Sequence, residues 1–114
     1  MPDWLVPLST FREQLGRDGK AFHVGLRHGT MKVELYRPGG RDPQVPHLQD
    51  EIYIVIAGRG SFVKAGERRP FAEGDVILVE AGVEHRFEDF GPDFETWVVF
   101  WGPDGGESAR AGDS

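Results

Sequence analysis

Pro46-His47-Leu48-Gln49-Asp50-Glu51-Ile52-Tyr53-Ile54-Val55-Ile56-Ala57-Gly58 changes character half-way along. A proline-flanked histidine and a polar triplet give way at Glu51 to a run dense in β-branched side chains, which suit a pleated backbone. The run ends at Gly58-Arg59-Gly60, the chemistry of a hairpin turn. Glu51 to Ala57 is therefore predicted to be a strand. Its alternation puts Glu51, Tyr53 and Val55 on one face and Ile52, Ile54 and Ile56 on the other, so both faces should be buried. The outer face of a small barrel is normally wet, and three outward isoleucines therefore ask for a cover. A homodimer is the expected arrangement; the alternative cover is the N-terminal segment with Trp4, Leu5, Val6 and Phe11.

Outward from this strand, turn signals recur at Arg17-Asp18-Gly19, Pro38-Gly39-Gly40, Ala65-Gly66, Glu73-Gly74-Asp75, Ala81-Gly82 and Gly91-Pro92-Asp93. Between them the pattern predicts strands at Phe22 to Leu26, Met31 to Tyr36, Gly60 to Lys64, Glu67 to Phe71, Val76 to Val79, His85 to Asp89 and Glu95 to Phe100. Short strands at this spacing, with no helices between them, indicate an all-β antiparallel sandwich or barrel. One short helix is predicted ahead of them, capped at Ser9 or Thr10, burying Phe11 and Leu15 and stopping at Gly16. The expected organisation is an arm with the helix over 1–20, one barrel over 21–101 and a disordered tail over 102–114.

The chain has 114 residues, enough for one domain with a core. Thirteen Lys and Arg against nineteen Asp and Glu give a net charge of −6, which argues against a nucleic-acid partner. With no cysteine, disulfides, thiolate catalysis and Cys-type zinc sites are excluded. No stretch reaches membrane-spanning length and the start lacks the pattern of a secretory signal, so a cytoplasmic protein without membrane partners is expected. There is no Ser-His-Asp arrangement, phosphate loop or dinucleotide fingerprint.

Two of the four histidines sit in turn-bracketed contexts, His47 before the central strand and His85 in Gly82-Val83-Glu84-His85-Arg86-Phe87. Inward side chains on adjacent strands of an antiparallel barrel approach within a few ångströms. Two imidazoles and a carboxylate, from His47, Glu51 and His85, make a ligand set suited to Fe(II), Mn(II), Zn(II) or Ni(II), with positions left for water or substrate. His23 and His28 are expected at the surface. Tyr53 and Phe87 each lie two residues from a proposed ligand and should face the same cavity.

These residues fall on two spaced motifs, and the chain resembles the cupin superfamily. The first reads Gly39, Val45-Pro46-His47, Glu51 and Gly58; the second reads Gly74, Glu80-Ala81-Gly82, His85 and Asp89. All spacings are kept, with Val45 in place of the family's first histidine, Glu80 in place of a proline and Asp89 in place of an asparagine. The resemblance implies an antiparallel double-stranded β-helix, or jelly-roll, barrel. It also implies a divalent metal, Fe, Mn, Zn or Ni, held by His47, Glu51 and His85, with Val45 unable to ligate. Gln44 or Gln49 is an optional fourth ligand or a donor to the ligands, and Val45, Tyr53 and Phe87 are expected around the pocket. The vacancy left by Val45 favours a metal with open positions, as in a metal-dependent dioxygenase or an isomerase or lyase acting on a small polar metabolite. The alternative is a non-catalytic small-molecule binding or sensing barrel, without metal, in which Val45 enters an apolar cavity. Sugar binding or epimerisation is a third option.

Overall fold

One helix precedes eight strands along the chain: α1 (Leu8–Asp18), β1 (Phe22–His28), β2 (Met31–Tyr36), β3 (Asp50–Ala57), β4 (Gly60–Lys64), β5 (Glu67–Phe71), β6 (Val76–Val79), β7 (His85–Glu88) and β8 (Glu95–Trp101). The computed structural model describes residues 3–40, 42 and 45–108. The predicted strands match closely. β7 stops a residue short of expectation because Asp89 turns the chain with φ 56°, in the left-handed region.

The strands form a five-stranded sheet in the order β1-β2-β8-β3-β6 and a three-stranded sheet in the order β5-β4-β7, with every pairing antiparallel. Hydrogen bonding does not close the two sheets into one another, and the architecture is the two-sheet jelly roll. Between the sheets lies an aromatic core in which Tyr53, Phe62, Phe71, Phe87 and Phe94 are buried, their rings meeting largely edge to face. Gly58 makes the corner after β3 at φ 92°. A Cβ there would lie 2.8 Å from the Phe94 backbone, so the approach of the β8 entry strand requires glycine.

The helix differs from expectation at both ends. Its N-cap is Pro7 with no side-chain cap, and it runs past Gly16 to a left-handed stop at Gly19, whose N–H bonds to the Leu15 carbonyl. Burial sets these limits: Phe11 and Leu15 pack with Leu35 and, at their margin, with Ile56 and Trp97. Gly25 of β1 makes room for the Phe11 ring, which would sit 2.4 Å from a Cβ.

An ion pair locks the helix to the sheet. The Glu95 carboxylate at the start of β8 is nearly buried and takes Arg12 of α1 and Arg37, the latter at 2.8 Å. Burial alone would raise its pKa, but the two guanidiniums outweigh that and hold it below the usual carboxylate value. A depressed pKa makes this pair stabilising above pH about 4.5, with the contribution lost as pH falls through the folded value. Glu95→Gln is expected to cost about 1–2 kcal/mol near neutral pH, the half-exposed arginines recovering part of their hydration. The difference from the native chain in denaturant melts should shrink towards pH 3 (roughly the foot of the carboxylate range); a constant gap would remove this role.

The helix thus covers one end of the isoleucine face, at Ile56. Along the rest, Ile52 faces Leu78 and Ile54 faces Val76 in register, and Val76 and Leu78 are exposed. The tail also departs from expectation over 102–108. Gly105 donates to the Leu48 carbonyl and Glu107 to the buried Asp50 carboxylate, whose other oxygen accepts the Ala81 N–H. Residues 109–114 lie outside the described residues. Among the described residues no helix is long and apolar enough to cross a membrane.

Candidate metal centre

β3 carries Glu51 into the middle of the five-stranded sheet, opposite Phe100 of β8 on one side and Val79 of β6 on the other. Its odd-numbered face is the inner one, so the carboxylate is buried, with 1% of its side chain exposed. His85 opens β7 in the facing sheet, and its side chain is fully buried. His47 comes from the loop before β3 and stays partly open. The Gly82 N–H donates to the His47 carbonyl at 2.8 Å, tying the two ligand-bearing loops together.

One donor atom from each of His47, Glu51 and His85 lies within 4.8 Å of the others. His85 Nε2 is 3.0 Å from Glu51 Oε1, and His47 Nε2 is 3.8 Å from the same oxygen. Neighbouring ligands around an ion with bonds of about 2.1 Å sit about 3.0–3.4 Å apart, so these separations are close to a coordination sphere. His85 Nδ1–H donates to the Val83 carbonyl at 2.9 Å, which aims Nε2 at the centre. The Tyr53 hydroxyl reaches the same Nε2 at 3.0 Å.

Both Glu51 oxygens are buried without a well-aligned hydrogen-bond donor. A carboxylate withdrawn from water is costly unless a cation or donors replace the lost hydration. The imidazoles respond in opposite senses. Burial lowers the His47 pKa more than Glu51 raises it. At His85 burial also lowers it, but the Glu51 carboxylate and the Val83 carbonyl outweigh burial and raise it. The orphan carboxylate between two nitrogen donors fits a divalent cation.

Above the centre opens a cavity of about 860 Å³, with His47 in its wall and Glu34, Tyr36 and Phe100 beside it. A second depression of about 570 Å³ between β5 and β6 holds none of the three candidate ligands. The inward residues of β2 are Lys32, Glu34 and Tyr36, which sequence reading did not single out. Glu34 is pushed up to about 7, chiefly by burial and then by the Glu51 charge, with Lys32 acting the other way. Tyr36 donates to Asp42, whose second oxygen accepts the Phe87 N–H at 2.8 Å, so this loop is pinned to β7.

A cupin-domain family model matches residues 32–96. The chain belongs to the cupin family. An uncharacterised protein of Streptomyces coelicolor is 39% identical over 94 residues, covering 81% of this cupin and 89% of its relative. Among solved structures, a Cupin 2 conserved barrel domain protein from Salinispora arenicola is 25% identical with a TM-score of 0.60, over 71% of this chain and 74% of that one. The DMSP lyase DddQ from Ruegeria pomeroyi, 22% identical with a TM-score of 0.62 over 72% of this cupin and 46% of the lyase, shares the fold.

Four expectations about the surroundings change. Phe87 does not line the open cavity: its ring is 1% exposed and stacks edge-on among Tyr53, Phe62 and Phe71, because β7 turns that face into the inter-sheet core. Tyr53 is equally buried, and its hydroxyl meets the centre at His85. Gln49 lies in the cavity wall, but its amide donates to the carbonyls of Thr30 and Gly102, which makes it a clip between loops. Val45 is at the cavity rim and 68% exposed, not inside an apolar chamber. Gln44 lies outside the described residues. His28 is exposed, and His23 sits beside Asp18 at 3.0 Å.

Proposed function

We propose that this cupin is a metal-dependent enzyme that binds Fe, Mn, Zn or Ni at His47, Glu51 and His85 and transforms a small polar metabolite in the cavity above them. The observation that carries this reading is the buried Glu51 carboxylate without a well-aligned donor, flanked by two imidazoles, one of which, His47, also lines a cavity of about 860 Å³. The ion, when bound, polarises substrate oxygens as a Lewis acid and offers open positions for oxygen or for a second substrate donor. Glu51 balances its charge, the Val83 carbonyl orients His85 through Nδ1, and the aromatic core excludes water from below. That a DMSP lyase is among the proteins sharing this fold supports the catalytic reading. Both oxygenase and isomerase or lyase chemistry suit this donor set.

Glu34 is placed to hold and move the substrate proton. It stands in the cavity wall, where burial, and in the metal-free protein the Glu51 charge, push its carboxyl up to about 7 and so towards proton exchange. Metal analysis by plasma mass spectrometry on tag-free protein tests the centre, with near-stoichiometric transition metal expected. Glu34→Gln should keep that metal and lower turnover of an identified substrate by about 10²-fold or more; unchanged turnover would remove Glu34 from the chemistry.

A homodimer is part of the proposal. Its support is the patch beyond the reach of α1 in which exposed Val76 and Leu78 lie beside half-buried Ile52 and Ile54. Ile54→Lys is expected to shift the size-exclusion elution from dimer to monomer, and an unshifted volume would rule this face out.

A further inference from the structure

Cations in this acidic chain are mostly neutralised by neighbours. Among the described residues Arg12, Arg17, Arg37, Lys64, Arg68, Arg69 and Arg86 all pair with carboxylates. Lys20, Arg27, Lys32 and Arg59 form no such pair, and the first three all line the cavity above the metal centre. In a chain with nineteen carboxylates and a net charge of −6, leaving three cations unpaired around one cavity needs a reason. Lys32 is the innermost of them. Its neighbours across the sheet are Phe100 and then Glu51, and its ammonium sits 5.1 Å from the centroid of the Phe100 ring, which walls the cavity.

We propose that the cavity takes a small carboxylate-bearing metabolite, its anionic group held by Lys32 with Arg27 and Lys20 nearer the mouth, and its other polar end directed at His47, Glu51 and His85. This deepens the enzymatic reading above and rests on it. Glu34 acts on Lys32 through its charge, but the three cations Lys20, Arg27 and Lys32 still outnumber the two wall carboxylates, Glu34 and Asp104, among the described residues. A carboxylate fits better than a phosphate ester. Phosphate sites draw on backbone N–H nests and arginine forks, whereas no glycine lines this cavity and its one arginine is exposed. Phe22, Val24, Leu48 and Phe100 supply apolar wall for a carbon skeleton.

Calorimetric titration tests this with malate, its uncharged analogue malamide and inorganic phosphate, on Zn(II)-loaded and metal-free protein. Malate is expected to bind the loaded protein at least about tenfold more tightly than malamide or phosphate, and more weakly as salt rises. The double variant Arg27→Met/Lys32→Met should lose about tenfold or more in malate affinity with malamide unaffected, while Arg59→Met, outside the cavity, should bind as the native chain does. Equal affinity for malate and malamide, tighter phosphate binding, no malate binding at millimolar concentration, or an unaffected double variant would each overturn the proposal. The salt and malamide comparisons on native protein stand even if the double variant does not fold. Failure to take up Zn(II) would instead remove the metal reading, and metal-free titrations would then decide the anion site alone.

Discussion

His85→Ala is expected to empty the metal centre, taking transition-metal content from near one ion per chain to below about a tenth. His85 is the most fully determined of the three candidate ligands: its side chain is buried, its Nδ1 is held by the Val83 carbonyl, and its Nε2 is left facing Glu51. Without it only Glu51 and the partly open His47 remain, and two donors do not retain a divalent ion against water and buffer. Loss of an outer partner alone typically weakens such sites 10–100-fold, so loss of a ligand should exceed about 100-fold in affinity. Tyr53→Phe, which removes a hydroxyl 3.0 Å from the nitrogen that would ligate, should keep near-native metal content. Plasma mass spectrometry of the three proteins, checked for folding by circular dichroism, reads this directly; full metal content in His85→Ala would refute the site.

The second large effect is a reversal of sign at Glu51. In metal-free protein Glu51→Gln should be stabilising, because the native carboxylate is 1% exposed with no aligned donor on either oxygen. His85 at 3.0 Å offsets part of that cost, which leaves about 2 kcal/mol to be recovered by a neutral isostere. For a domain of this size that corresponds to roughly 8 °C in Tm. With metal present the order should invert. An ion at about a hundred times its Kd stabilises the native chain by roughly 2.7 kcal/mol, and the variant, lacking the anionic ligand, should gain little. Calorimetric melts with and without metal test the crossing. A metal-free variant less stable than the native chain would mean that Glu51 already has what it needs without an ion.

The three candidate ligands and most strands were legible because each depends on short stretches of chain. β-branched runs, glycine turns and the spacing of two motifs set the strands, and alternation along β3 alone put Glu51 on the face of Tyr53. The helix limits were less legible. Ser9 and Gly16 are good local signals, but the packing of Phe11 and Leu15 on Leu35 carries the helix from Pro7 to Gly19. The first seven residues after position 101 read as a loose glycine-rich tail, yet Asp50 and Leu48 hold them through backbone hydrogen bonds that composition does not encode.

β2 shows where local reading ends. Lys32, Glu34 and Tyr36 alternate with Val33 and Leu35, which by itself describes a strand with its polar side in water. The structure inverts this: α1 covers Leu35 and Val33 from outside, and the polar set faces the cavity. Alternation states that a strand has two different faces, but which face is inside depends on what other parts of the chain lie against it. The amino-acid sequence therefore determined the cupin strands and the His47, Glu51 and His85 set through local propensity and spacing. Only the tertiary structure decided that Glu51 is buried without a well-aligned donor, that Phe87 fills the core, and that three cations without ion pairs and Glu34 surround the same cavity. Burial and long-range charge are properties of the assembled chain.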